Sequence, residues 1–132
     1  MGSAHPAALS FDIEDWFHPE LVRGHVVAGD ARSVVVEGTQ TILGVLEHHG
    51  VHATFFMLGD VARRHPELVR AIAGAGHEIA CHGMTHRPLW TLDRDSFRAE
   101  LRAFRAAIHD VLGEDPVVGF RAPTFSLDRS TS

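Results

Sequence analysis

Within His77-Glu-Ile-Ala-Cys-His-Gly-Met-Thr-His86 a short apolar run delivers His82 and His86, four residues apart. On one turn of helix such a pair faces the same way, and two imidazoles presented together can bind one metal ion. The spacing alone carries little weight. With 11 His in 132 residues, roughly one such pair arises by accident, and His48 with His52 is a second copy. Context separates them. Gly50 interrupts the helical face between His48 and His52, whereas His82 follows the strand-like run Glu78-Ile-Ala-Cys81, where α/β sheets and barrels place ligands. Asp12, Glu14 and Asp15 follow another apolar run, Ala7 to Phe11, and Arg121 follows Val117-Val-Gly-Phe120. A carboxylate with two histidines leaves metal positions open for water; Zn²⁺ suits such a donor set, and a further carboxylate beside it can act as base.

The elements that must position these groups alternate along the chain. Ala7 to Phe11 reads as a buried strand running into an acidic loop. Residues 38–49 carry Ile42, Val45, Leu46 and His49 at helical spacing and stop at Gly50. Ala53 to Leu58 is a second strand, closed by Gly59. Pro66 suits a first helical position, with Leu68, Val69 and Ile72 as the apolar stripe before Gly74 and Gly76. His77 to Cys81 is a third strand and Val117 to Phe120 a fourth. Between them, Phe97, Leu101, Phe104, Ile108 and Leu112 mark a long amphipathic helix from Asp93, ended by Gly113, with Phe97, Leu101 and Phe104 expected in the core. Four βα-type units imply an α/β fold with a parallel sheet and right-handed crossovers. All three polar clusters then fall at carboxyl ends of strands, so one cleft could hold them.

Composition bounds the function. A chain of 132 residues, 45% hydrophobic, supports one domain with a real core, and the mean hydropathy is near zero. Twelve basic residues, all Arg, against 17 acidic ones give a net charge of −5. That balance argues against a nucleic-acid footprint and against an electrostatic membrane anchor. No apolar run approaches membrane-spanning length and no signal-peptide pattern opens the chain, so the cytoplasm is the expected location. The single cysteine, Cys81, excludes an internal disulfide and reads as a small buried strand residue.

The motifs Phe11-Asp-Ile-Glu-Asp-Trp-Phe-His18, Ala53-Thr-Phe-Phe56, Gly76 to His86 and Gly119-Phe-Arg-Ala-Pro-Thr-Phe-Ser126 together resemble the polysaccharide deacetylases of the NodB-homology type, carbohydrate esterase family 4. The resemblance runs from about residue 7 to 127 and matches in order and spacing. It implies one partial domain over residues 1–132: the parallel half of a deformed (β/α)7-type barrel, about four βα units. It makes Asp12 the general base, His82 and His86 metal ligands, and Arg121 the partner that orients Asp12. The third ligand is Glu14 or Asp15; alternate residues of an extended segment face one side, which puts Glu14 first. After Pro123, Thr124 is the residue whose backbone N–H meets the developing oxyanion. The implied chemistry is hydrolysis of an acetamide on an N-acetylated oligo- or polysaccharide, assisted by a divalent metal, Zn²⁺ by preference.

The family's later motifs, including a histidine that protonates the leaving amine, have no counterpart before Ser132. Three classes therefore stand side by side: a deacetylase of amino-sugar polymers, a related C–N hydrolase on a small cyclic amide, and a non-catalytic metal- or sugar-binding half-domain. A sheet cut from a barrel is expected to present an apolar face and open edges, and so to pair with a second copy or a complementary chain.

Overall fold

In the computed structural model, residues 5–27 and 32–129 are described. Three strands, β1 (Ser10–Ile13), β2 (Thr54–Met57) and β3 (Glu78–Cys81), form one parallel sheet in the order β1-β2-β3. Asp12 lies level with Phe56, and Met57 with Cys81. The helices are α1 (Glu20–Arg23), α2 (Val35–His49), α3 (Gly59–Arg64), α4 (Pro66–Gly74) and α5 (Arg94–Leu112).

Local signals account for most of the boundaries. Gly50 ends α2 in a left-handed conformation, φ 62°, its N–H returning to the carbonyls of Leu46 and Glu47. Pro66 opens α4 at the position where a missing N–H costs nothing. Asp93 caps α5 by accepting a 2.7 Å bond from Ser96 N, and Gly113 closes it at φ 76°.

The two faces of the sheet differ sharply. Ile13, Phe55, Met57, Ile79 and Cys81 are all buried in one apolar core with Leu68, Val69 and Ile72 of α4 and Phe104 and Ile108 of α5. Phe97 and Leu101, expected in that core, are only half-buried, and Phe97 stacks edge-on against Phe120, centroids 5.1 Å apart. Alternation puts Ser10, Asp12, Thr54, Phe56 and Glu78 on the opposite face. Thr54 Oγ1 donates to Glu78 Oε2 there (2.7 Å), and the Arg121 guanidinium lies 4.0 Å over the Phe56 ring. This face carries polar groups beside Ala80, and its one large ring is covered by a cation.

Three expectations need correction. The first strand begins later than read, so Asp12 sits within β1 and not in a loop beyond it. Gly59 does not merely close β2 but starts α3, a helix that sequence periodicity did not show. The fourth strand shrinks to a single parallel bridge, Cys81 to Phe120. Its segment joins β3 through only two bonds, Cys81 N to Gly119 O (2.8 Å) and Arg121 N to Cys81 O (2.9 Å). Pro116 lacks a donor and Gly119 has no side chain to pack, and both weaken a strand.

Candidate metal centre

The sheet delivers its polar groups to one end. β1 stops at Ile13, and the alternation of the extended chain carries on for two residues: Asp12 and Glu14 line the cleft while Ile13 and Asp15 are buried on the other side. The cleft has a volume of about 180 Å³ and is bordered also by His82, His86, Arg121, Thr124 and Phe125.

His82 and His86 leave β3 in a loop, not on a helical turn. His86 adopts φ 61°, a left-handed conformation that costs a side-chain-bearing residue about 1–3 kcal/mol and persists only where the surroundings impose it. Those surroundings are specific. Gly59 N donates to Gly83 O and Asp60 N to Met84 O, both 2.9 Å, so the first amides of α3 hold the loop's carbonyls. A Cβ on Gly59 would overlap Met84 Sδ, so the Met84 side chain packs directly over this glycine. From α5, Glu100 Oε2 accepts from Met84 N at 2.7 Å.

The two rings, centroids 5.2 Å apart, are both buried and meet edge-on, at 76° to one another. His82 Nδ1 is 2.8 Å from Arg121 O and His86 Nδ1 is 3.2 Å from Glu20 Oε1. Each acceptor fixes the proton on Nδ1 and leaves the Nε2 lone pair free. Both Nε2 atoms face Glu14: Oε2 lies 3.0 Å from His86 Nε2 and 3.6 Å from His82 Nε2. That oxygen is buried with no aligned hydrogen bond. One ligand atom from each residue falls within 4.8 Å of the others. Three convergent lone pairs, two nitrogen and one carboxylate oxygen, are a donor set that fits a divalent ion. Burial pushes the Glu14 carboxyl up, but the neighbouring His82 and His86 outweigh it and hold it at about 2. Burial lowers His86, and the opposing pull of Glu14 and Glu20 raises it overall.

Asp15, the reserve ligand, is engaged elsewhere. Its carboxylate accepts from Ser33 Oγ (2.6 Å), Val34 N (2.8 Å) and Val35 N (3.1 Å), serving the start of α2. This corrects its inclusion among the metal donors: with those bonds made and its side chain on the far side of the chain, it cannot also reach the cleft. Asp12 does reach it, with Oδ2 3.8 Å from His82 Nε2. Arg121 binds Asp12 Oδ1 and Ser10 Oγ, each at 2.7 Å, so the guanidinium fixes the carboxylate's rotamer. Pro123 is fully buried and Thr124, at φ 53°, forms the rim beside it. Cys81 is buried, its thiol pushed up by burial to about 12, and serves as an acceptor for Gly83 N (3.3 Å).

Sequence reasoning missed Glu20 and Glu100. His18 accepts from Asp15 N through Nδ1 (2.8 Å) and faces Asp60 Oδ2 through Nε2 (3.2 Å), tying the β1 loop to α3. Only the closeness of His18 to the first motif hinted at such a place. Trp16 and Trp90 are both substantially exposed.

The family Polysaccharide deacetylase matches residues 4–132. Among curated relatives, a chitooligosaccharide deacetylase of Rhizobium leguminosarum bv. trifolii is 44% identical over 53% of this chain and 33% of its own length. A peptidoglycan-N-acetylglucosamine deacetylase of Bacillus cereus is 35% identical over 61% of this chain and 30% of its own. A Mycobacterium smegmatis crystal structure assigned as a polysaccharide deacetylase superposes with a TM-score of 0.75 at 37% identity, over 94% of this chain and 45% of that one. The chain thus spans about a third of the length of the curated relatives it matches. With a family match over nearly its whole length and a fold shared with a solved member, this chain belongs to the polysaccharide deacetylase family.

Proposed function

We propose that the chain carries the metal-binding and base-bearing part of a hydrolase that removes N-acetyl groups from amino-sugar polymers. The observation that carries this reading is the buried, unbonded Glu14 Oε2 facing the free Nε2 atoms of His82 and His86. Glu14, His82 and His86 would hold a divalent ion, with Zn²⁺ the best match to mixed imidazole and carboxylate donors. When bound, such an ion supplies Lewis acidity that polarises an amide carbonyl and makes water a better nucleophile near neutral pH.

The chain's own groups do the rest. Asp12 takes the proton from the attacking water, and Arg121 keeps its free oxygen turned toward the cleft. Thr124 donates its backbone N–H to the carbonyl oxygen as negative charge develops, with Pro123 fixing the turn that presents it. The products are acetate and a free amine. Among the described residues lining the cleft, the only histidines are His82 and His86. The relatives named as chitooligosaccharide and peptidoglycan deacetylases support N-acetylglucosamine-containing polymers as the substrate class.

Acetate release from a short N-acetylglucosamine oligomer, with and without a chelator, tests the proposal. Release that stops on chelation and returns with Zn²⁺ is expected. Stoichiometric metal uptake without turnover would assign the chain to metal or sugar binding alone.

A further inference from the structure

The short helix α1 makes two contacts with the His82–His86 loop that the deacetylation chemistry does not itself require. Glu20 Oε1 receives the His86 Nδ1 proton at 3.2 Å. Arg23, one turn later, donates to Thr85 O, the carbonyl just before His86, and at 2.7 Å to His18 O. The two residues lie only loosely against each other, 3.9 Å apart, so each is committed to the loop more than to its neighbour. Between them they grip His86 from both ends, ring and backbone, at the residue whose φ of 61° needs an external constraint. Glu20 Oε2 is buried and has no hydrogen-bond partner.

We infer that Glu20 and Arg23 are positioning residues for His86, with Glu20 holding the ring so that Nε2 points at Glu14 and Arg23 holding the strained backbone beneath it. The inference rests on the metal reading of Glu14, His82 and His86. Charge supports it: a carboxylate on the far edge of a ligating imidazole raises that ligand's basicity, and Glu14 with Glu20 supplies two negative charges around a dication. His82 has a backbone carbonyl in the equivalent place, so the two ligands are held by different devices, and only His86 depends on a side chain.

Zn²⁺ affinity, measured by competition with a chromophoric chelator, separates the outcomes. Glu20→Ala is expected to weaken binding about 10–100-fold. Glu20→Gln keeps an oxygen acceptor for Nδ1 and should recover most of that loss, a rescue that a merely structural role would not show. Arg23→Ala should also weaken binding, by less. An unchanged affinity in Glu20→Ala, with wild type binding Zn²⁺, overturns the inference and leaves the metal reading standing. If wild type takes up no metal, the metal reading fails, and the grip is still decided in the metal-free chain by nitrogen-detected NMR of His86. A slowly exchanging Nδ1 proton in wild type that disappears in Glu20→Ala supports it; the same signal in both, or in neither, refutes it.

Discussion

Two pairs of histidines in this chain share the same four-residue spacing, and they have opposite fates. His82 and His86 are buried, 5.2 Å apart, with Nδ1 of each tied to an acceptor and Nε2 of each turned toward one carboxylate. His48 and His52 are exposed and never meet. His48 meets His49 edge-on, centroids 4.9 Å apart, at the end of α2, while His52, beyond the left-handed turn at Gly50, lies 5.6 Å from His77 instead. His77 in turn accepts from Ala53 N through Nδ1 at 3.2 Å, and burial followed by the nearby His52 lowers its affinity for a proton. The difference lies outside the pairs. One sits at the carboxyl end of a strand, where α3, α5 and α1 each contribute a polar contact to the loop. The other sits at the opposite end of the sheet, where no group of three ligating side chains gathers around either ring among the described residues.

The strongest test of that contrast is to remove one ring from each pair. His82→Ala should abolish stoichiometric Zn²⁺ uptake, because it deletes a ligand and leaves Glu14 buried beside an empty space. His52→Ala should leave uptake at the wild-type level. Equilibrium dialysis with elemental analysis reads both. Loss of metal in His52→Ala would mean that the two ends of the sheet are coupled in a way the geometry does not show.

A smaller effect separates binding from chemistry within the first region. In a preparation that releases acetate, Asp12→Asn should retain Zn²⁺ while turnover falls about 10²–10⁴-fold, the usual cost of losing a general base. Arg121→Ala should cost less, about 10–100-fold. Should Asp12→Asn lose the metal and keep its turnover, base and ligand must exchange roles. The smallest effect belongs to the second region. Gly50→Ala puts a Cβ into open space but at φ 62°, so thermal unfolding should report a loss of about 1–2 kcal/mol from backbone strain alone. Zn²⁺ affinity should not change.

How much of this was legible in the sequence follows from where each signal is stored. Gly50, Pro66, Asp93 and Gly113 act within a turn of their own position, so the ends of α2, α4 and α5 could be read. The grouping of Asp12, Glu14, His82, His86 and Arg121 was also readable, because parallel strands put their carboxyl ends on one side whatever the details. The helical reason for pairing His82 with His86 was wrong, since the rings converge through a strained loop. Asp15 was ambiguous because its partners, Ser33, Val34 and Val35, are 18 to 20 residues away and announce themselves by no pattern. Glu20 was invisible for the same reason, 66 residues from the ring it holds. α3 hid because six residues starting with glycine look like the end of the strand before them.

The central claim is that Glu14, His82 and His86 hold one divalent ion without help from the adjacent Cys81. X-ray absorption at the zinc edge on the Zn²⁺-loaded chain tests it most directly. The account predicts one equivalent of metal with nitrogen and oxygen scatterers at about 2.0–2.2 Å, including the multiple-scattering pattern of two imidazoles. Less than about a tenth of an equivalent bound, or a sulfur scatterer at about 2.3 Å, would contradict it.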